Sequence, residues 1–270
     1  MPGLIKSFFS QSPRLKSFRG IHAGQRAFVI GNGPSLNRMD LSKLAGETTF
    51  SSNGIYHLFR DIPWLPAYYA CVDAVVLRNQ SGQISRMREQ APGIQCFFPD
   101  KIPDVYVPHQ KVRVETFLPP TPRTCYFKQI PPSPDNKPFG LFPKDPGNGL
   151  VQPYTVTATL LQLAYLMGCN PIYLIGCDTD YQNYSGVKTV GTRPGATPVY
   201  QASQDNDPNH FHKAYFGQGK RFHAPNVDKM VMHYEAIQEA AGILGLKIYN
   251  AGVDSRLECF PKVGFEGLFR

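Results

Sequence analysis

Apolar residues come in short blocks along the first half of this chain and in longer blocks along the second. Arg26-Ala-Phe-Val-Ile30 is a brief apolar run stopped by Gly31-Asn-Gly-Pro-Ser-Leu36, and it predicts a strand followed by a glycine-rich turn. From Asn37 to Ala45, Leu36, Met39, Leu41 and Leu44 recur at roughly helical spacing, so a helix is expected there. Thr48 to Asn53 and Tyr68 to Asp73 predict two more strands, each ending on a polar residue. Tyr154 to Met167 is apolar nearly all round, the pattern of a buried helix, and Gly168 ends it. Pro171-Ile-Tyr-Leu-Ile-Gly-Cys-Asp178 is a near-continuous apolar run of the kind found in central parallel strands. A polar loop is expected up to about Pro225. Val227, Met230, Val231, Tyr234, Ile237, Ala241 and Leu244 then trace an amphipathic helix that stops near Gly245, and Lys247 to Asn250 is a last strand.

Strand, glycine-rich turn and helix in that order open a nucleotide-binding α/β unit, and strands ending in polar residues place a ligand at the carboxyl edge of a parallel sheet. The expected fold class is therefore α/β and Rossmann-like, a mostly parallel sheet with helices on both faces. Between Lys101 and Leu150 there are eleven prolines, which argues against long helices or central strands. Tyr106, Phe117, Tyr126, Phe127, Phe139 and Phe142 give this stretch material to pack, so an ordered lid over a site is expected rather than a linker. The expected organisation is a basic amphipathic arm over residues 1–25 and one α/β domain over 26–270, with the proline-rich elaboration at about 101–150.

Composition narrows the class. The 270 residues are 42% hydrophobic, enough for a core, but only 18% charged, below the usual level of about 25%. No window approaches the ~18 uninterrupted apolar residues of a membrane helix. Net charge is +8, and no acidic residue precedes Asp40, whereas Lys6, Arg14, Lys16, Arg19, Arg26 and Arg38 do. Leu4, Ile5, Phe8, Phe9, Leu15 and Phe18 are interleaved with these bases, so the arm either lies on an anionic membrane surface or packs on the body with its bases solvated. It lacks the apolar stretch of a secretory signal. The six cysteines are far apart with no zinc-type spacing, and the expected location is a reducing cytoplasm, with peripheral contact at the inner face of the cell membrane. No nucleic-acid-binding signature is present. A homo-oligomer is one open possibility.

Several residues could carry chemistry. In the turn, Gly31 and Gly33 let the backbone approach an anion, the following helix start offers N–H groups, and Asn32 and Ser35 can add hydrogen bonds; Ser35 can equally be only a helix cap. This turn matches neither the three-glycine dinucleotide fingerprint nor a P-loop. Asp178, at a strand's carboxyl end, can hold a ribose, a sugar or a metal, or cap a turn. Asp180, Tyr181 and Tyr184 follow it, so phenols stand near the same edge. His210, His212, His223 and His233 all lie beyond Asp178, and a histidine near neutral pKa can take a proton from an attacking hydroxyl. His210 and His212 alternate as in a strand, but no third ligand has metal-site spacing, and His233 fits a structural helix position. No metal is expected.

The Gly31-Asn-Gly-Pro-Ser-Leu36 turn, the Ile172–Asp178 strand with Tyr181-Gln182 after it, and the Asn209-His-Phe211 loop resemble the bacterial sialyltransferases of glycosyltransferase family 42. They also resemble a broader superfamily that shares the Gly-x-Gly-Pro-Ser-Leu turn with hydroxymethylpterin diphosphokinase-like proteins. The resemblance covers about residues 26–73 and 150–250. It implies an inverting, metal-independent glycosyltransferase with a CMP-activated sugar as donor substrate, no other cofactor, and a glycan or glycolipid acceptor. On that resemblance Asn32 and Asn53 contact the nucleotide, Thr155 is a donor-site hydroxyl, and Tyr181 and Tyr184 hydrogen-bond the leaving phosphate. The base is a histidine before the last long helix: His210 lies in the more similar local sequence, and His223 lies nearer that helix. The chain departs from the family at Asp73, where the family has asparagine and an acid would meet a ribose. It departs again at Thr155-Val156-Thr157, where the family has a Thr-Ser pair, and at Pro153, where it has arginine. These departures leave the sugar open among sialic acid, another nonulosonate and a 3-deoxy-octulosonate. A magnesium-dependent ATP diphosphokinase, with Asp73 and Asp178 as metal ligands, and a non-catalytic nucleotide-binding protein are the alternatives.

Overall fold

Short apolar runs become strands in the computed structural model, which describes residues 13–105, 107, 109–131, 142, 149–152, 154–192 and 197–269. In chain order the first half holds β1 (Ala27–Ile30), β2 (Thr48–Ser52), β3 (Tyr68–Ala70), α1 (Ala74–Asn79), α2 (Ser81–Gln90) and β4 (Gln95–Pro99). There follow β5 (Lys101–Pro103), β6 (Lys111–Arg113), β7 (Thr124–Phe127), β8 (Gln129–Ile130) and β9 (Leu150–Val151). The second half holds α3 (Val156–Leu166), β10 (Ile172–Ile175), β11 (Val187–Gly191), β12 (Val199–Ala202), β13 (Arg221–His223), α4 (Val227–Ile243) and β14 (Ile248–Asn250).

Seven strands form one all-parallel sheet in the order β14-β10-β1-β2-β3-β4-β7. Ala27 pairs with Thr48 on one side and Ile172 on the other, so β1 is central. Alternate residues feed two cores, as the period of two in a strand requires. Ala27, Val29 and Phe50 face one layer with Leu160 and Leu163 of α3 and Tyr234 and Ile237 of α4. Phe28, Ile30 and Tyr69 face the other with Ile84 and Met87 of α2, Leu36, and Phe265 near the carboxyl terminus. This is the Rossmann-like α/β architecture that the strand–turn–helix pattern predicts. Nine of the eleven residues of α3 are buried, and its Gln162 is satisfied by a pair of hydrogen bonds with the Val151 backbone, 2.7 and 3.0 Å.

The expected helix over 37–45 is replaced by two short 3₁₀ turns, Pro34–Arg38 and Leu41–Leu44. Met39 between them is extended, and the Asp40 carboxylate accepts from Ser42 N–H, so a new cap begins before an α-turn can propagate. The proline-rich stretch does hold a strand of the main sheet, β7, placed at its edge where only one side needs ladder partners. The expected polar loop after Asp178 contains an antiparallel three-stranded sheet, β11-β12-β13. Pro103 at the end of β5, Gln129 of β8 and Gln152 just after β9 reach the site described below.

Residues 1–12 of the basic arm, together with Tyr106, Phe139 and Pro153, lie outside the described residues. Leu15 and Phe18 are buried, Phe18 packing edge-on to Phe97 at 4.9 Å, while Gly20 and His22 donate backbone N–H groups to Leu166 and Met167. The six cysteines are unbridged. Among the described residues no helix is long and apolar enough to cross a membrane.

Candidate active site

The chain leaves β1 toward β2 and the strands beyond it, then returns to the other side of β1 as β10. That reversal opens a crevice at the carboxyl ends of β1 and β10, where α/β sheets hold their ligands. Two loops meet there too closely for side chains. A Cβ on Gly31 would stand 2.2 Å from Gly176 O, and one on Gly33 would stand 2.3 Å from the Asp178 carboxylate. The turn's amides point back into the protein: Gly31 N–H donates to Ile175 O (2.7 Å), Gly33 N–H to Gly176 O (2.8 Å) and Ser35 N–H to Asp178 Oδ2 (2.8 Å). Ser35 Oγ donates to Asp178 Oδ1 at 2.5 Å. Asp178 therefore caps the turn Pro34–Arg38, and the amides expected to cradle an anion serve the joint between β1 and β10. Ser35, 1% exposed, sits behind the cleft lining.

The crevice widens into a cleft of about 500 Å³. Gly31, Asn32, Gly33, Asn53, Asp73 and Asp178 line it, as do Thr155 and Thr157 from the start of α3. Tyr181, Tyr184, His210 and His223 line it too, whereas Ser35, His212 and His233 do not. Asn32 and Asn53 each carry a buried side-chain oxygen with no hydrogen-bond partner among the described residues. Unpaired buried acceptors are costly, and a ligand with N–H or O–H groups would satisfy both.

Two histidine–carboxylate pairs enter this cleft. His223, at the end of β13, places Nδ1 2.7 Å from Asp73 Oδ2. The other oxygen of Asp73 caps α1 by accepting Val76 N–H at 2.9 Å, and Arg221 N–H bonds to Asn79 Oδ1, so β13 is pinned to α1. Burial alone would raise the Asp73 carboxyl, but the hydrogen bond and charge of His223 outweigh it and hold the carboxyl below its ordinary range. The second pair is His210 with Asp207, Nδ1 to Oδ2 at 2.8 Å. The Asp207 side chain is fully buried and also accepts the backbone N–H groups of Asn209 and Phe216. The His210 ring lies flat on Tyr215 at 3.9 Å, and its side chain is 12% exposed against 36% for His223.

Two phenols flank the pairs. Burial, with the neighbouring Cys177 and Asp178 adding to it, pushes the Tyr181 hydroxyl far above its ordinary value; burial and Asp207 do the same at Tyr184. Both stay protonated at neutral pH and can donate. Tyr184 packs on Phe222 of β13 at 4.9 Å, so the small antiparallel sheet sets Tyr184 and His223 together. Lys220 closes the loop beneath by donating to Ala214 O and Tyr215 O, both at 2.8 Å. Its ammonium is lowered to about 8 by burial, and the adjacent His57 to about 4 by burial first and then by Lys220. His212 stacks on His57 at 4.6 Å and accepts Ala214 N–H at Nδ1 (3.2 Å), so the alternating pair takes different partners and His212 does not line the cleft. Among the described residues no group of three His, Cys, Asp or Glu side chains comes together as a metal site.

Sequence reasoning missed Asp207, Tyr215, Tyr234 and Lys229. Asp207 carried a signal, its i,i+3 spacing to His210. Tyr234, 2% exposed, sits in the buried stripe of α4, so nothing in the pattern separates it from a core residue.

No family model matches the chain, and no curated protein matches it. Two solved structures are similar to it. One is the MAf glycosyltransferase from Magnetospirillum magneticum AMB-1, at 15% identity and a TM-score of 0.48, over 93% of this chain and 37% of that one. This chain thus spans little more than a third of that protein's length. The other is the sialyltransferase CST-II, whose structure was solved with a trisaccharide acceptor and CMP, at 16% identity and a TM-score of 0.46, over 88% of this chain and 86% of that one.

Proposed function

We propose that this protein is a glycosyltransferase that moves a sugar from a CMP-activated donor to a hydroxyl of a glycan or glycolipid, with inversion, without a metal ion, and with His223 as general base. The observation that carries the reading is one cleft holding a carboxylate-backed histidine and two protonated phenols. With Nδ1–H donated to Asp73, Nε2 of His223 is the basic nitrogen. It takes the proton of the acceptor hydroxyl as that oxygen bonds the anomeric carbon and the bond from that carbon to the CMP phosphate oxygen breaks. The electron pair leaves with CMP, and Tyr181 and Tyr184 donate hydrogen bonds to the growing phosphate charge. Asp73 then faces the imidazolium. His223 is favoured over His210 because it is the more exposed of the two, whereas His210 is clamped between Asp207 and Tyr215 and holds the loop. Asn32 and Asn53 fit the nucleoside through their unpaired oxygens. The donor class comes from the turn, strand and loop that resemble family 42. The basic arm would keep the enzyme beside membrane-bound acceptors.

The diphosphokinase alternative needs Asp73 and Asp178 as magnesium ligands. Both carboxylates are already engaged, Asp73 by His223 and Val76 and Asp178 by Ser35, which places that reading second. Thermal shift decides between them. CMP with EDTA at a hundred times its Kd should add about 2.7 kcal/mol of stability, and ATP with magnesium should add none. His223→Gln should keep the CMP shift and lower turnover of a CMP-sugar by about 10²–10⁴-fold. Stabilisation by ATP and magnesium alone overturns the donor class, and unchanged turnover in His223→Gln overturns the base. Nucleotide binding by the wild type with no turnover of any CMP-sugar would leave a binding protein.

A further inference from the structure

Among the described residues the cleft is lined by three carboxylates, each of which already has a partner, and by a single lysine. Of the carboxylates lining it, Asp73 is bound to His223, Asp178 to Ser35, and Asp180 to Arg256 at 3.2 Å. Lys229 is the one Lys or Arg in the lining among the described residues, and no carboxylate of those residues lies within 4 Å of its ammonium. The side chain is exposed and reaches toward the start of α3, with Nζ 5.5 Å from the centre of the Tyr154 ring. Tyr154 is itself anchored, its N–H donating to His233 Nδ1 at 3.1 Å, and it immediately precedes Thr155, the cap of α3. Lys229 also stands in the first turn of the 17-residue helix α4, capped by Asn226, where a cation opposes the helix dipole. A lining cation held against the helix dipole, with no carboxylate of the described residues within 4 Å, is complementary to an anionic ligand group.

We infer that Lys229 binds the phosphate of the donor nucleotide and determines the cleft's preference for a charged nucleotide over its nucleoside. The inference rests on the CMP-donor reading above and adds a binding residue that neither the motifs nor the resemblance contains. The ammonium bonds the phosphate from the mouth of the cleft while Tyr181 and Tyr184 donate from beside Asp178. Lys229 is a binding residue in this role. No proton is transferred to or from it.

The test is calorimetric titration of CMP and of cytidine into the wild type, Lys229→Gln and Lys229→Arg, at low and high salt. A lost charge-assisted hydrogen bond weakens binding by about tenfold. Lys229→Gln is expected to lose about that factor for CMP and nothing for cytidine, to flatten the salt dependence of CMP binding, and to leave the ligand-free Tm unchanged or raised. Lys229→Arg should restore most of the CMP affinity. Equal CMP affinity in wild type and Lys229→Gln overturns the inference, and so does an equal loss for CMP and cytidine. A wild type that binds neither ligand overturns the donor reading itself and the inference with it, an outcome distinct from the other two.

Discussion

Asp178 looks like a ligand residue and is bonded like a structural one, a difference that substitution measures directly. Replacing it with alanine removes both acceptors of Ser35, the 2.8 Å bond from its N–H and the 2.5 Å bond from its hydroxyl. Bonds to a charged acceptor contribute about 1.5–3 kcal/mol each. Ser35 is 1% exposed, so its two donors are left in the protein interior, while Asp178 is partly open to the cleft and lets water replace some of what is lost. The expected cost is about 2–4 kcal/mol, a large fraction of the about 5–15 kcal/mol that stabilises a typical domain. At about 2–4 °C per kcal/mol for a chain of this size, Tm should fall by about 4–16 °C. Asp178→Asn keeps one acceptor for the backbone N–H and should lose about half as much. Urea titration with tyrosine fluorescence, alongside a thermal melt, measures both variants, and Ser35→Ala in the Asp178→Ala background should cost little more than the single change. A Tm within about 1 °C of wild type for Asp178→Ala, together with lost nucleotide binding, would refute the reasoning and return Asp178 to the ligand.

On the proposed mechanism, in which the phenols act on charge that develops in the transition state, Tyr181→Phe and Tyr184→Phe should each lower turnover by about 10²-fold with little change in CMP affinity; single-turnover kinetics at saturating donor checks this, and unchanged rates would exclude them as donors to the phosphate. His233, 7% exposed and lowered to about 4 by burial, accepts Tyr154 N–H in its neutral form. Its folded pKa is below the unfolded value, so the unfolded chain binds the extra proton and the stability present above about pH 6.5 is lost as pH falls toward 4. His57, also lowered to about 4, acts in the same direction. Urea unfolding between pH 4 and 7 should show this slope, and His233→Gln should reduce it by about one proton, or about 1.4 kcal/mol per pH unit.

Local pattern alone determined much of this protein. The apolar runs that became β1 and β10, the all-apolar α3 and the striped α4 were visible because their burial is set by a period of two or 3.6 residues within a few turns of chain. Polar residues at strand ends fall at one edge of a parallel sheet whatever the loops do, so Asn53, Asp73 and Asp178 could be placed at the site before their partners were known. The partners themselves were decided by tertiary structure. Asp73 and His223 are 150 residues apart, and Ser35 and Asp178 are 143 apart, and no local periodicity carries such a pairing. The helix expected at 37–45 failed for a related reason: its apolar spacing was real, but Leu36 and Leu41 are buried by short turns packed on the sheet, and the Asp40 cap took the hydrogen bonds an α-helix would have used. In the proline-rich stretch, β7 is a strand because β4 offers it one ladder, which composition alone does not reveal. Asn53, in the left-handed region at φ 49°, and the glycines of the turn carry the same lesson in the backbone. Gly31 and Gly33 were singled out for the approach of an anion, but what makes them glycine is the loop of Gly176 and Asp178 pressed against them, a contact that exists only once β1 and β10 lie side by side.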